Sequence, residues 1–259
     1  RVVSTFENPN VLGEYLIMAL PISLALFVSE KDNPRRFHLL VPAFLDLICL
    51  ILTWSRGAWL GLIIAGAFTL FAASEKWLIG SLIALPPTIC ALLFANSNVI
   101  SRFTSILNTS DSSTSYRLGI WKSSLFMLKD HFLCGIGVGS GAFETVFPYY
   151  AISVITSAYH AHNLYLQIIT ETGIFSLVFF LIIIFVFAQR SLSFVKETSS
   201  QKDRTVMLGV FCALSAFLIQ GLTDYVFYNY KIFLLFWLIM GLSAAHTIDL
   251  QKESDRNYV

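Results

Sequence analysis

Three basic side chains in otherwise apolar surroundings are the first candidates for chemistry: Arg56, Arg117 and His162. Arg56 stands between Trp54 and Trp59. An arginine at the centre of a bilayer costs ~2.5–3.5 kcal/mol on insertion scales, and less near the interface. It is therefore either a snorkelling contact to lipid headgroups or a binder of some specific anion. Arg117, one helical turn before Trp121, admits the same two readings. His160 and His162 fall in the word HAHN. Their alternate spacing resembles a metal pair, but no carboxylate or cysteine cluster accompanies it, so a zinc site is not expected. An imidazole titrates near neutrality and can take a proton from a hydroxyl. His162 suits that role better than a metal ligand.

Acidic groups come next. Glu171 lies about two turns into an apolar run, where a carboxylate needs a partner or a wet cavity. It either orients a nearby His or Arg, or is protonated and structural. Glu14 and Asp46 are weaker candidates of the same kind. Asp224, Tyr225 and Tyr228 stand together between two apolar runs and could line a cleft. Lys122 and Lys129 read as the solvated face of a helix.

The elements that must position these groups are membrane helices. The 259-residue chain is 56% hydrophobic and 13% charged, against roughly 25% charge in a soluble domain. Too little polar surface remains to cover a water-exposed globule. A helix needs about 20 apolar residues to cross a bilayer. Runs at 11–28, 37–54, 58–73, 77–95, 164–188, 206–221 and 232–247 qualify, giving about seven spans. Pro21, Pro42, Pro86 and Pro87 lie within them, as kinks that neighbouring helices can accommodate. The fold class is thus all-α, a polytopic transmembrane helix bundle.

Orientation follows from the basic residues. Lys31, Arg35, Arg36, Lys76, Arg190, Lys196, Lys202, Arg204, Lys252 and Arg256 fall in alternate connections, all on one face. Short loops rich in Lys and Arg stay cytoplasmic. The opposite, extracytoplasmic face then holds Arg56, Asp224 and one long loop, 96–163. Within that loop 108–115 (NTSDSSTS) reads as flexible. Leu118, Trp121, Leu125 and Leu128 recur at helical spacing, which predicts an amphipathic helix over 117–130 lying on the membrane surface. The run GIGVGSG at 135–141 reads as a turn, and 142–155 as a second aromatic-rich segment. The loop is expected to form a subdomain of a single membrane domain spanning 1–259, folded back over the bundle as a cap.

Several classes are excluded. A net charge of +1 gives no reason to expect nucleic acid. Cys49, Cys90, Cys134 and Cys212 show no CxxC or metal spacing, so neither a disulfide framework nor a zinc site is expected. GIGVGSG lacks the third glycine, the strand and the βαβ context of a dinucleotide fingerprint. No cleavable signal peptide is visible. Arg1 to Asn10 reads like the end of a loop, and further helices are expected upstream in a longer protein.

Two arginines and a histidine on the outer rim suit one reaction class. Arginine pairs with phosphate oxygens and keeps its charge when partly desolvated. It can stabilise a departing diphosphate without a metal, while histidine serves as base for an attacking hydroxyl.

Four stretches carry a family resemblance: TFENPNVLGEYL at 5–16, TWSRGAWLGL at 53–62, YRLGIWKSSLFMLKDHFLCGIGVGSGAF at 116–143 and HAHNLYLQIITETG at 160–173. In this order the set resembles the O-antigen ligase and O-antigen polymerase superfamily of the bacterial envelope, over essentially the whole chain. No single stretch is specific; the ordered set is. The resemblance implies a metal-independent, inverting membrane glycosyltransferase with no cofactor, in the bacterial inner membrane. It implies an undecaprenyl diphosphate-linked glycan as donor and a glycan, lipid or protein hydroxyl as acceptor. By motif match Arg56 and Arg117 would hold the donor diphosphate and His162 would activate the acceptor. His160, Asn163 and Glu171 would be supporting residues. Family members have about a dozen spans, more than this chain. The superfamily also contains repeat-unit polymerases, and some relatives carry the label of bicarbonate transporter. A small-anion transporter and a non-catalytic, lipid-binding scaffold therefore stand as competing readings.

Overall fold

A computed structural model describes residues 2–30, 33–73, 112–152 and 154–257. The described residues are helical, with no strand among them. In chain order the helices are α1 (Pro9–Ser29), α2 (Leu40–Thr53), α3 (Arg56–Ala73), α4 (Ser112–His131), α5 (Ser140–Val146), α6 (Leu164–Glu197), α7 (Gln201–Gln220) and α8 (Tyr230–Asn257). Short 3₁₀ turns at Pro34–Leu39 and Phe147–Tyr150 precede α2 and follow α5. Six helices, or helix pairs across a tight turn, are long and apolar enough to cross a membrane. They match six of the expected runs. The seventh, 77–95, with Pro86, Pro87 and Cys90, lies outside the described residues. The chain is a polytopic helical membrane protein.

Local sequence sets the helix ends. Asn8 caps α1, its side chain accepting from the N–H groups of Asn10 and Val11, with Pro9 at the first helical position. Asn33 and Pro34 repeat this device before the turn into α2. Pro42 falls in the first turn of α2, where a missing N–H costs little. Trp54 takes a left-handed conformation, φ 60°, and turns the chain sharply into α3. Trp59 then donates its indole N–H to the Leu50 carbonyl at 2.9 Å and locks the α2–α3 corner.

α7 is the centre of the bundle, with α1 and α3 packed along it and α6 and α8 beside them. Glycines permit the closest approaches. A Cβ on Gly209 would stand 2.3 Å from Ala25 Cβ of α1, and one on Gly61 would stand 2.6 Å from the Ala216 carbonyl oxygen. Small residues at helix crossings are the usual means of tight packing in lipid, where burial of apolar surface gives no drive. The end of α7 and the start of α8 are joined by an aromatic cluster in which Phe217 stacks on Phe236 at 5.0 Å and Phe227 meets Phe233 edge-on at 5.0 Å. Phe175, Phe179, Ile182, Ile183 and Phe185 of α6 are exposed, as side chains facing lipid tails should be.

The long connection folds on a second, smaller core. Ile120, Met127, Phe143, Phe147, Ala158 and Ala161 bury one another there. Two expectations need correction. Residues 112–115, read as flexible, form the first turn of α4. The buried stripe of α4 is Ile120, Ser123, Ser124 and Met127, whereas Leu118 and Leu125 are exposed. The helix carries apolar residues on more than one side, so it is not amphipathic in the expected sense. Lys122 and Lys129 are exposed, as read from sequence.

α6 is broken at Gly173, φ 82° and ψ 177°. The break receives the glycine-rich turn. Ile136 N–H donates to the Thr170 carbonyl, Gly137 N–H to that of Glu171, and Ile174 N–H to that of Phe132, at 2.9, 3.0 and 2.9 Å. A Cβ on Gly173 would lie 2.0 Å from the Leu133 carbonyl oxygen, and one on Gly135 would lie 2.3 Å from the Glu171 backbone. Glycine is required at both places by space and by positive φ.

Candidate active site

Asp224 is the hub of the polar cluster at the end of the bundle where α1 and α3 begin. It sits in the turn between α7 and α8, only 8% exposed. Its position comes from the frayed end of α7, where the N–H groups of Thr223 and Asp224 both return to the Gln220 carbonyl. One carboxylate oxygen, Oδ2, accepts from Arg117 Nη2 at 3.2 Å and from Asn10 Nδ2 at 2.8 Å. The other, Oδ1, accepts from the backbone N–H of Tyr225 at 3.0 Å and meets His162 Nδ1 at 3.1 Å. A carboxylate this enclosed is tolerable only when its lone pairs are taken. Burial alone would raise its pKa. The hydrogen bond from His162 and the charge of Arg117 outweigh it and hold the carboxyl below the usual range.

The tautomer of His162 follows. An ionised carboxylate can only accept, so His162 Nδ1 carries the proton. In the neutral ring Nε2 then keeps its lone pair, facing away from Asp224. The backbone fixes this orientation. His162 is held at φ 48°, an uncommon conformation for a residue other than glycine. Its carbonyl accepts from Trp121 Nε1 at 3.4 Å. Tyr116 meets the imidazole edge-on, with ring centroids 5.9 Å apart.

His160 lies against His162, with ring centroids 4.1 Å apart, and against Tyr228 at 4.9 Å and Tyr225 at 5.7 Å. Its Nδ1 accepts the backbone N–H of His162 at 3.3 Å. Burial, helped by the neighbouring His162 and Arg117 charges and opposed by Asp224, pulls its pKa down to about 4. His160 is neutral at neutral pH. Burial, with Glu171 adding to it, pushes the Tyr225 phenol up, so it stays protonated.

The remaining candidates take different places. Asn163 caps α6, its Oδ1 accepting from Leu166 N–H at 2.9 Å and its Nδ2 donating to the Leu222 carbonyl at 2.7 Å. It ties the histidine segment to the turn that carries Asp224. Glu171 touches neither histidine. Its Oε1 accepts from Gln167 Nε2 at 2.9 Å and from Gly139 N–H at 3.0 Å. Gln167 in turn accepts the N–H of Ala161, the residue between the two histidines, at 2.6 Å. Glu171 therefore acts on the histidines through one intermediate and on the glycine turn directly. Arg56 opens α3, half-buried. Its neighbour Gly57 faces Thr223, where an added Cβ would come 2.8 Å from Thr223 Oγ1. This brings the first turn of α3 beside Asp224. Glu14 is buried one turn beyond Asn10, within electrostatic range of Asp224. Asp46, midway along α2, stays outside the cluster. Among the described residues no group of three His, Cys, Asp or Glu side chains is placed to hold a metal ion.

Sequence reasoning missed Asn10 and Gln167 and ranked Asp224 too low. Asn10 gave no signal beyond its place in the first matching stretch. Asp224 did give one, as an acid in a short turn between two apolar runs at the same end as Arg117 and His162.

The site thus pairs a histidine whose free nitrogen is set by a carboxylate with an arginine held by that same carboxylate. No curated protein matches the chain. A family model described as O-antigen ligase matches residues 41–181, more than half of the sequence, and takes in Arg56, Arg117, His160, His162, Asn163 and Glu171 but neither Asn10 nor Asp224. This chain belongs to the O-antigen ligase family, multi-pass membrane proteins of the ligase and polymerase type that process glycans.

Proposed function

We propose that the protein is a glycosyltransferase that moves a glycan from undecaprenyl diphosphate to an acceptor hydroxyl, with inversion and without a metal. The observation that carries this reading is the shared carboxylate of Asp224, with His162 on one oxygen and Arg117 on the other. His162 Nε2 takes the proton of the acceptor hydroxyl as its oxygen attacks the anomeric carbon. The bond from that carbon to the diphosphate oxygen breaks on the opposite face, which inverts the centre. The lipid diphosphate leaves with the bonding electrons. Arg117 has five N–H donors, and the contact to Asp224 uses one of them. The others, with Arg56, take the negative charge that develops on the leaving diphosphate. His160, neutral and tilted against His162 with ring centroids 4.1 Å apart, places no positive charge beside that base.

The basic residues assign the opposite end of the bundle to the cytoplasm. The reaction then takes place on the extracytoplasmic side of a bacterial inner membrane. The acceptor is a glycan, a lipid or a protein.

Replacing His162 by Ala in the full-length protein should lower transfer from a lipid-linked glycan by about 10²–10⁴-fold, the usual worth of a positioned base. Membrane insertion should be unchanged. Normal transfer by that variant would remove the assigned base. Mass spectrometry of a deletion strain separates the two reactions of the family. Full-length lipid-linked chains accumulate if a ligase is lost, and single repeat units if a polymerase is lost.

A further inference from the structure

At the end of the bundle opposite His162, α1 and α3 diverge over α7 and leave an apolar groove of about 520 Å³. Its walls include Leu24, Val28 and Leu70, and its inner limit is near Leu62 and Cys212. Leu24 and Val28 are exposed, so the groove is open on one side. Its polar lining residues are Gln201, Arg204 and Thr205 at the mouth and Thr69, whose hydroxyl donates to the Ala65 carbonyl at 2.8 Å. Arg204 donates from Nη2 to the last carbonyl of α3, that of Ala73, at 2.9 Å. This contact uses one of its five donors. The neighbouring charged side chains have partners of their own, Lys202 with Glu30 and Asp203 with His246. Among the described residues Arg204 meets no carboxylate.

From Arg204 to Cys212 the groove runs for roughly 12 Å, at 1.5 Å per helical residue. That is close to the depth of one leaflet, about half of a 30 Å hydrocarbon core. A guanidinium at the leaflet surface above an apolar channel of leaflet depth matches one occupant in charge and in length. We propose that this groove binds an anionic glycerophospholipid of the inner leaflet, with its phosphate on Arg204 and one acyl chain along α7. The assignment to the inner leaflet rests on the orientation read from the basic residues. The binding itself is independent of the glycan-transfer reading.

Gly66 provides the test. It lines the groove, and a Cβ added there would meet nothing within 4 Å. Gly66→Phe should therefore fill the groove without disturbing a helix crossing. The full chain is purified in detergent and titrated with phosphatidylglycerol or phosphatidylcholine, with bound lipid counted by native mass spectrometry. One phosphatidylglycerol should bind in preference to phosphatidylcholine. Arg204→Gln should weaken its binding roughly fivefold, the worth of one basic residue at an anionic surface. Gly66→Phe should abolish binding while keeping the melting temperature of the lipid-free protein. Equal binding of the two lipids, no loss in Arg204→Gln, or retention in Gly66→Phe would overturn the assignment. So would occupancy by undecaprenyl phosphate that phosphatidylglycerol cannot displace, since the groove would then hold a polyprenyl tail. His162→Ala should leave lipid binding intact, so failure of either reading is seen separately.

Discussion

Asp224 is asked to do two things with one charge. It stabilises Arg117 as an ion pair, and it fixes which nitrogen of His162 carries a proton. Asp224→Asn separates these roles from mere packing, because the side chain keeps its size. Asn can present an NH₂ group to His162 Nδ1 and so stabilise the wrong tautomer. Glycan transfer should fall about 10²–10⁴-fold, with the loss mainly in kcat. A change confined to KM would mean that Asp224 serves donor binding alone. His160 gives a pH signature. In the unfolded chain it takes a proton near 6.5, and in the folded protein only near 4. Between these values the unfolded state binds more protons, so stability falls as pH falls. Asp224, held below its ordinary 3.8, adds a loss of the same sign at still lower pH. Melting temperature in detergent should drop from about pH 6.5 towards pH 4, and His160→Asn should flatten that slope.

Among the elements, the break at Gly173 receives three backbone hydrogen bonds that tie the glycine-rich turn to α6. Gly173→Ala places a Cβ against the Leu133 carbonyl and forces a non-glycine residue to φ 82°. It should destabilise the protein by at least about 1–3 kcal/mol, seen as a lower melting temperature and faster proteolysis within 132–160. Gly66→Ala, in open space, should show neither effect. The same elements show what the sequence could reveal. The long apolar runs were legible because a span must be apolar for its full length, whatever it packs against. The face of α4 was not. Leu118, Trp121, Leu125 and Leu128 follow the same helical period as Ile120 and Met127, and periodicity cannot choose between two apolar stripes. The choice was made by Phe143, Phe147 and Ala158, which fill the second stripe from distant positions. Arg117 and His162 were legible as chemistry because charge in an apolar chain is costly and conspicuous. Asn10 was not, since its partner lies 214 residues away and an asparagine after Asn8 and Pro9 looks like ordinary capping.

For the molecule as a whole, the separation of a basic end from the Asp224 end is what the proposed direction in the membrane rests on. Cys134 is exposed within the loop core. A membrane-impermeant maleimide should label it in intact spheroplasts, whereas a cysteine placed at Lys202 should react only after permeabilisation. The opposite pattern would invert the topology and put the proposed donor site on the cytosolic side.

The ties to Asp224 also bear on biosynthesis. Asn10, Arg117 and His162 emerge from the ribosome well before the acid that gathers them. A nascent chain with five described helices already inserted still has three unanchored groups at the rim. Lipid-linked sugars diffusing past it meet no assembled centre until the hairpin between α7 and α8 leaves the translocon. Assembly of the polar cluster is therefore a late step in synthesis, completed only once the turn that carries Asp224 has been delivered.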